Sequence, residues 1–418
     1  MLESFNLNDF DYDLPANKIA IYPLENRANC KLLVFNHKIS DKKIIHTHFN
    51  NITDFIPTDS LLIINSTKVL PARILLNKPT GALIEFLLLE PSNNVDYQIA
   101  INSNKTIEWK CIVGGKNIKI KDKFYINCNN INTSYNNINV EIEVLSRNEK
   151  EANIRFNWSP EELCFGEILE QIGKIPLPPY IKRNTNENDK NDYQTIYANE
   201  QGSVAAPTAG LHFTEDIINK LKINSVKVNE IILHIGMGTF MPIAESIDTH
   251  KMHKEKIQVT KETIKNLLTQ YSLNKSVIAT GTTSLRTLES LYWFAIQLIS
   301  NNTNFEKYIK NYGFYIEQNE IYNTNYNISL IEAFSRLLEF MDANKLNYIQ
   351  GSTEIFITPN YNIKTINCLI TNFHLPKSTL MLLISAFIGI DNVKNIYKEA
   401  LQDDYRFLSY GDASLLFR

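Results

Sequence analysis

The order of apolar and polar residues divides the chain into two kinds of secondary structure. Residues 61–65 form an apolar run with the length of a short buried strand. From about 73 to 156 the segments 82–89, 107–113, 118–126, 140–145 and 152–156 are short, β-rich and punctuated by Gly, Asn and Pro. That spacing predicts a small antiparallel β-barrel or sandwich. Beyond Ser159 the pattern changes to a helix over about 160–172 and strands at 228–235, 276–280 and 366–371. The last two strands run into helices starting near Ser284 and Ser378. Strand–loop–helix repetition with buried strands implies a mostly parallel sheet. The expected fold class is therefore α/β. A larger mixed α/β domain, residues 1–72 with 157–418, carries an active site at its strand ends, and 73–156 form an inserted antiparallel β-barrel domain. Residues 301–347 are rich in Asn and Tyr and ambiguous in period, which leaves a helical excursion and a partly mobile loop both open. The polar run 184–192 lacks apolar anchors and reads as a flexible loop.

Reactive side chains collect at the ends of these apolar runs. The densest segment is Val204-Ala-Ala-Pro-Thr-Ala-Gly-Leu-His-Phe-Thr214, which is small-residue-rich, turn-rich and nearly chargeless. Small residues let backbone approach a ligand closely, and His212 supplies an acid/base group that titrates near neutrality. Four strand ends carry similar equipment: His234-Ile-Gly-Met-Gly-Thr-Phe240, Gly281-Thr-Thr-Ser-Leu-Arg-Thr-Leu-Glu289, Thr371-Asn-Phe-His-Leu-Pro-Lys-Ser-Thr379 and Asn65-Ser-Thr-Lys-Val-Leu-Pro-Ala-Arg73. Ligands of open α/β sheets bind outside the carboxyl ends of the strands. Gly281-Thr-Thr-Ser284 before a helix offers backbone N–H donors and an N-cap hydroxyl to a carboxylate or phosphate. Of the 8 histidines, His212, His234, His250, His253 and His374 sit in or beside these segments. His250 and His253 would share one face of a helix. Neither H-E-x-x-H nor a Cys/His finger is present, so no metal is expected.

Composition narrows the class. At 418 residues, with 44% hydrophobic and 21% charged content, the chain is an ordinary globular protein large enough for two or three domains. A net charge of −3 means that a nucleic-acid partner must be held by a local basic patch. One candidate patch is Lys119, Lys121 and Lys123, whose alternation on a strand puts them on one face, either solvated or in contact with phosphate. The 5 cysteines include no C-x-x-C pair, as expected of reduced thiols. No signal peptide is read at the N-terminus, and the apolar stretch 380–390 is shorter than the roughly 20 residues that span a bilayer.

At these residues the sequence resembles the S-adenosylmethionine:tRNA ribosyltransferase-isomerase family of queuosine biosynthesis, nearly end to end. The likeness runs through Phe10-Asp-Tyr-Asp-Leu-Pro15, Ile21-Tyr-Pro-Leu-Glu-Asn-Arg27, the 65–73 strand end, Ile175-Pro-Leu-Pro-Pro-Tyr-Ile181 and Tyr193-Gln-Thr-Ile-Tyr197. It continues through 204–214, 233–240, 281–289, 371–379 and Tyr405-Arg-Phe-Leu-Ser-Tyr-Gly-Asp412. Departures are Met241 where the family usually has Arg, Gly351-Ser-Thr-Glu354 where it has Gly-Trp-Thr-Asp, and a long stretch over 293–350 that reads as an insertion.

The resemblance implies an enzyme that moves the ribosyl part of S-adenosylmethionine to the aminomethyl group of a 7-deazaguanine in the wobble position of tRNA. Adenine and methionine leave, and an epoxycyclopentane forms. The sulfonium acidifies the C5′ protons, adenine departure needs a proton donor, and the amine must be neutral, so the scheme demands acid/base groups and no metal. His212 and His374 are the first candidates, with His212 slightly favoured as the base, and His234 and His253 complete the catalytic set. Gly236, Gly238, Thr239, Gly281, Thr282, Thr283, Ser284 and Asn372 are the expected contacts to S-adenosylmethionine. Arg27, Lys68, Arg73, Arg286 and Lys377, with Lys119, Lys121 and Lys123, are those to tRNA. The tRNA would carry a GUN anticodon, and the protein would act as a cytoplasmic monomer. Two other readings remain open: an S-adenosylmethionine-dependent RNA methyltransferase, drawn from Gly236-Met-Gly238 after a strand, and a non-catalytic tRNA-binding module.

Overall fold

The computed structural model describes residues 5–37, 43–78, 80–128, 137–236, 242–243, 246–301, 303–322, 326 and 328–418. In chain order the strands are β1 Lys31–Asn36, β2 Ile44–His48, β3 Leu61–Asn65, β4 Thr67–Val69, β5 Arg73–Asn77, β6 Leu83–Pro91, β7 Thr106–Gly114, β8 Lys123–Cys128, β9 Ile138–Asn148 and β10 Glu151–Ser159. They continue as β11 Gly173–Lys174, β12 Glu200–Ser203, β13 Lys227–His234, β14 Glu255–Thr260, β15 Val277–Thr280, β16 Phe314–Ile316, β17 Tyr348–Thr353, β18 Cys368–Asn372 and β19 Ala413–Phe417. The helices are α1 Tyr97–Ile101, α2 Phe165–Ile172, α3 Asp189–Asp192, α4 Glu215–Ile223, α5 Lys261–Ser272, α6 Gly281–Ile299, α7 Phe305–Lys310, α8 Leu330–Ala343, α9 Thr379–Ile388 and α10 Ile390–Gln402.

The larger sheet runs β16-β17-β14-β13-β3-β15-β18-β19-β1-β2. Its centre, β13-β3-β15-β18, is parallel, and every residue of β3, β15 and β18 is buried. Strands covered on both faces read as continuous apolar runs, which is why these were visible in the sequence. The flanks are not parallel throughout: β14 pairs antiparallel with β13 and β17, β18 with β19, and β1 with β2. Five of its nine pairings are parallel and four antiparallel, so the sheet is mixed around a parallel centre. Helix α6 crosses it and is buried along almost its whole length, so its apolar residues show no single face.

The second sheet, β11-β5-β6-β7-β10-β9-β8, is antiparallel at every pairing. It encloses its own core around Phe86, Trp109, Ile154, Phe156 and Phe165. No ladder joins β8 to β11 among the described residues, so the sheet curls without closing into the expected barrel. Helix α2 packs against both edge strands and buries Phe165, Ile168 and Leu169. Its apolar stripe fills the seam that a closing ladder would otherwise occupy.

Two local expectations are corrected, and the helical alternative for 301–347 is borne out. The strand expected over 118–126 begins only at Lys123. Asp122 accepts from the Lys119 backbone N–H at 2.8 Å and Lys121 sits at φ 72°, so 119–122 form a turn. The polar run 184–192 is anchored, not loose: Asp189 is fully buried and takes a two-pronged ion pair from Arg183 at 2.6 and 2.8 Å. Polarity in the sequence concealed that paired charge. Residues 301–347 contain α7, β16 and α8, with Phe314, Ile316, Phe334 and Leu337 in the main core. No single helix among the described residues is long and apolar enough to cross a membrane.

Candidate active site

The parallel centre of the large sheet brings three of the sequence segments to one cavity. The carboxyl end of β15 leads into Gly281, Thr282 and Thr283. The end of β18 leads into Thr371, Asn372, Phe373 and His374. The turn after β12 supplies Ala206, Pro207, Thr208 and Ala209. The cavity spans about 610 Å³ of space between atoms, part of it open solvent. Ile235, Tyr180, Leu380 and Ser409 complete much of the wall. Tyr180 and Ser409 share a 2.6 Å hydrogen bond there.

His374 lines this cavity and is 8% exposed. Its ring Nε2 lies 2.8 Å from the Thr371 hydroxyl. Its backbone is held on both sides: the N–H donates to the Tyr397 hydroxyl at 2.8 Å, and the carbonyl accepts from the Tyr12 hydroxyl. Burial pushes the imidazole down to about 3, so it is neutral at physiological pH. Its Nδ1 has no hydrogen-bond partner among the described residues.

His212 is also buried and neutral, pushed down to about 3 by burial and then by Arg406 and Arg27. It stands behind the wall of the cavity. Asn372 Nδ2 donates to the Leu408 carbonyl at 3.2 Å and lies 3.0 Å from His212 Nε2. A carbonyl only accepts, so the Asn372 amide is oriented with its NH₂ toward both, and His212 Nε2 accepts. The His212 proton is then on Nδ1, 3.2 Å from Cys30 Sγ. Asn372 Oδ1 in turn accepts from Thr208 at 3.0 Å. Cys30, Thr371 and Thr208 are the parts of this arrangement that sequence reading missed. A Thr three residues before a His, at a strand end, was the available signal for Thr371.

Small residues in the 204–214 segment serve packing as well as access. A Cβ at Gly210 would meet the Tyr197 hydroxyl at 2.1 Å. Gly281, at φ 83°, occupies the left-handed region that glycine adopts without strain. Ser284 is fully buried and bonds back to the Thr280 carbonyl at 2.7 Å, so its hydroxyl is spent inside α6. Thr283 Oγ1 and Thr280 Oγ1 are buried without partners among the described residues.

The remaining candidates are dispersed. His234 ends β13 in a separate cleft with Asp96, Tyr97 and Lys256; its ring lies tilted against Tyr97, centroids 4.8 Å apart, and 3.1 Å from the Thr67 hydroxyl. Burial, then Lys256, pushes it down to about 4. His253 and His250 line a second cavity next to the first, in irregular chain rather than on a helix, so the shared helical face does not exist. Burial, then His253, holds His250 below the usual histidine range. Arg286 lines that second cavity and pairs with Glu255. Arg27 bonds the Gln194 carbonyl at 3.0 Å, Arg73 pairs with Glu85 at 2.7 Å on the small sheet, and Lys377 pairs with Asp11 at 2.9 Å. Lys68 lies partly buried in β4. Lys119 and Lys121 are exposed in the turn and Lys123 pairs with Glu141 at 3.1 Å on β8, so the three do not share a strand face. Gly236 follows β13; Gly238, Thr239 and Met241 lie outside the described residues. Glu289 accepts from Tyr361, Thr365 and the Lys364 and Thr365 backbones, which makes it a structural anchor. Among the described residues one group, His46, Glu399 and Asp403, lies within metal-ligand range, at the surface and apart from the cavity.

The model of the family described as "Queuosine biosynthesis protein" matches residues 7–416. The chain belongs to that family. A relative from Sulfurihydrogenibium sp. is 36% identical over 98% of this chain and 99% of its own length, and one from Thermotoga petrophila is 37% identical over the same shares. Both are named S-adenosylmethionine:tRNA ribosyltransferase-isomerase. A crystal structure of an S-adenosylmethionine tRNA ribosyltransferase from Thermotoga maritima aligns at 27% identity over 98% of this chain and all of that one, with a TM-score of 0.47. The names of the two sequence relatives favour ribosyl transfer over the methyltransferase reading and over a non-catalytic binding module.

Proposed function

We propose that the protein is an S-adenosylmethionine:tRNA ribosyltransferase-isomerase, with S-adenosylmethionine bound in the cavity at the ends of β15 and β18. The observation that carries this is the meeting of the 204–214, 281–283 and 371–378 segments around one neutral histidine, in a chain of this family. His374 is the better base. The role requires the tautomer in which Nε2–H donates to Thr371, which leaves the Nδ1 lone pair to take the sulfonium-activated C5′ proton. His212, favoured by sequence alone, instead holds Asn372 in place from behind the wall. Asn372 and Thr208 then present hydrogen-bonding groups to the nucleoside, and Thr282 and the α6 N-terminus lie beside it. His234 and His253, in neighbouring clefts, would act on other parts of the substrates, and the exposed Lys119 and Lys121 remain available to tRNA phosphates. The same reading has the protein act in the cytoplasm, as a monomer, on a tRNA with a GUN anticodon. It treats 73–156 as a unit inserted into the α/β domain and 293–350 as an insertion within that domain.

The test is product analysis. Protein incubated with S-adenosylmethionine and tRNA bearing the aminomethyl-deazaguanine base should release adenine and methionine together. Release of S-adenosylhomocysteine, or binding of tRNA without consumption of S-adenosylmethionine, would overturn the reading.

A further inference from the structure

Beside the first cavity lies a second, about 440 Å³ of empty space, with Leu380 forming part of both walls. Thr283 of the first and Arg286 of the second are three residues apart on α6, hence on one face of the helix. Arg286 is 4% exposed. Its Nη1 bonds the Glu255 carboxylate, while Nε and Nη2 are buried with no acceptor among the described residues. A buried guanidinium with two unmet donors is costly, since desolvated donors left unpaired lose their hydrogen bonds to water without replacement. The two free donors form the side-on edge of the fork, which fits the two oxygens of a carboxylate.

We propose that this second cavity receives the amino-acid end of S-adenosylmethionine, with its α-carboxylate held in two-point contact by Arg286. The inference rests on the reading of the first cavity as the site of the nucleoside. The Arg286–Glu255 pair is neutral as a whole, so a bare anion gains little there. A zwitterion gains at both ends, because the carboxylate faces Arg286 and the ammonium faces the acidic partner. This moves the carboxylate away from the α6 N-terminus, where the sequence had suggested it, and leaves Thr282 to the nucleoside side.

The test uses calorimetric titration with two probes, S-adenosylmethionine and 5′-methylthioadenosine, which lacks the amino-acid group. Arg286→Lys keeps the charge but loses the fork, and should weaken S-adenosylmethionine at least about tenfold and methylthioadenosine less than about twofold. Thr282→Val should weaken both alike. Because an Arg286 variant can fail to fold, the unmodified protein is also titrated with the methyl ester of S-adenosylmethionine, which should bind about tenfold more weakly than the free acid. Equal loss of both probes in a folded Arg286→Lys variant, an ester bound as well as the acid, or displacement of S-adenosylmethionine by inorganic phosphate would each overturn the assignment. So would failure of the unmodified protein to bind S-adenosylmethionine. Correct discrimination without release of adenine would leave the carboxylate site standing and sink the proposed reaction instead.

Discussion

Removing the Thr371 hydroxyl tests the base assignment most directly. Thr371→Val is nearly isosteric at a position 1% exposed, so packing around β18 is kept. What is lost is the 2.8 Å contact to His374 Nε2. A neutral buried hydrogen bond contributes about 0.5–1.5 kcal/mol net, so stability should fall by about 1 kcal/mol. The kinetic effect has a separate origin. Without Thr371 as partner, Nε2–H and Nδ1–H tautomers become comparable, and the ring turns more freely about its terminal torsion. A loss of about 1–2 kcal/mol of preorganisation corresponds to about 5–30-fold in rate. Turnover measured as adenine release at saturating S-adenosylmethionine should drop by that factor, with KM little changed. Exchange of C5′ hydrogens with solvent deuterium should drop in parallel. If both rates stayed at the wild-type level in a folded Thr371→Val protein, Thr371 would not orient the base and His374 would lose its strongest geometric support.

Further expectations follow from the buried histidines and the buried ion pair. Exchange of C5′ hydrogens should stay level from pH 8 to pH 5, because His374 titrates at about 3; an acid limb centred near 6.5 would point to a solvated base. His212, His234 and His374 are neutral when folded and titrate at about 3, 4 and 3, below the unfolded value of 6.5. Their stabilising contribution is complete above pH 6.5 and is lost as pH falls toward 3–4, by up to about 1.4 kcal/mol per pH unit for each; a urea midpoint unchanged between pH 7.5 and pH 5 would count against this. His212→Phe should lower affinity for methylthioadenosine by freeing Asn372, while leaving C5′ exchange per bound substrate close to normal; complete loss of exchange would restore His212 as the base. Asp189→Asn leaves Arg183 without its charge partner and should cost about 3–5 kcal/mol, read as a fall in melting temperature; an unchanged melting temperature would return 184–192 to the status of a loose loop.

The apolar strands β3, β15 and β18 were legible because a strand covered on both faces must be apolar at every position. The glycine and threonine turn before α6 and the histidine after β18 were legible because turn geometry and acid/base chemistry restrict residue type locally. Motif order over 7–416 was enough for the family. The sequence could not separate the roles of His212 and His374. Both follow small or polar residues in neutral segments, but one faces the cavity and the other sits behind Asn372. That difference depends on Asn372, 160 residues from His212 in the chain. The Arg183–Asp189 clamp joins residues only 6 apart, but its burial, like that of the unmet donors of Arg286, is set by segments packed around it. The curled small sheet was read as a barrel or sandwich because alternation reports which face of a strand is buried, not whether the first and last strands meet. Local pattern determines what each segment can become. Which side chains lose their water, and which of them find a partner when they do, is decided only when distant segments pack.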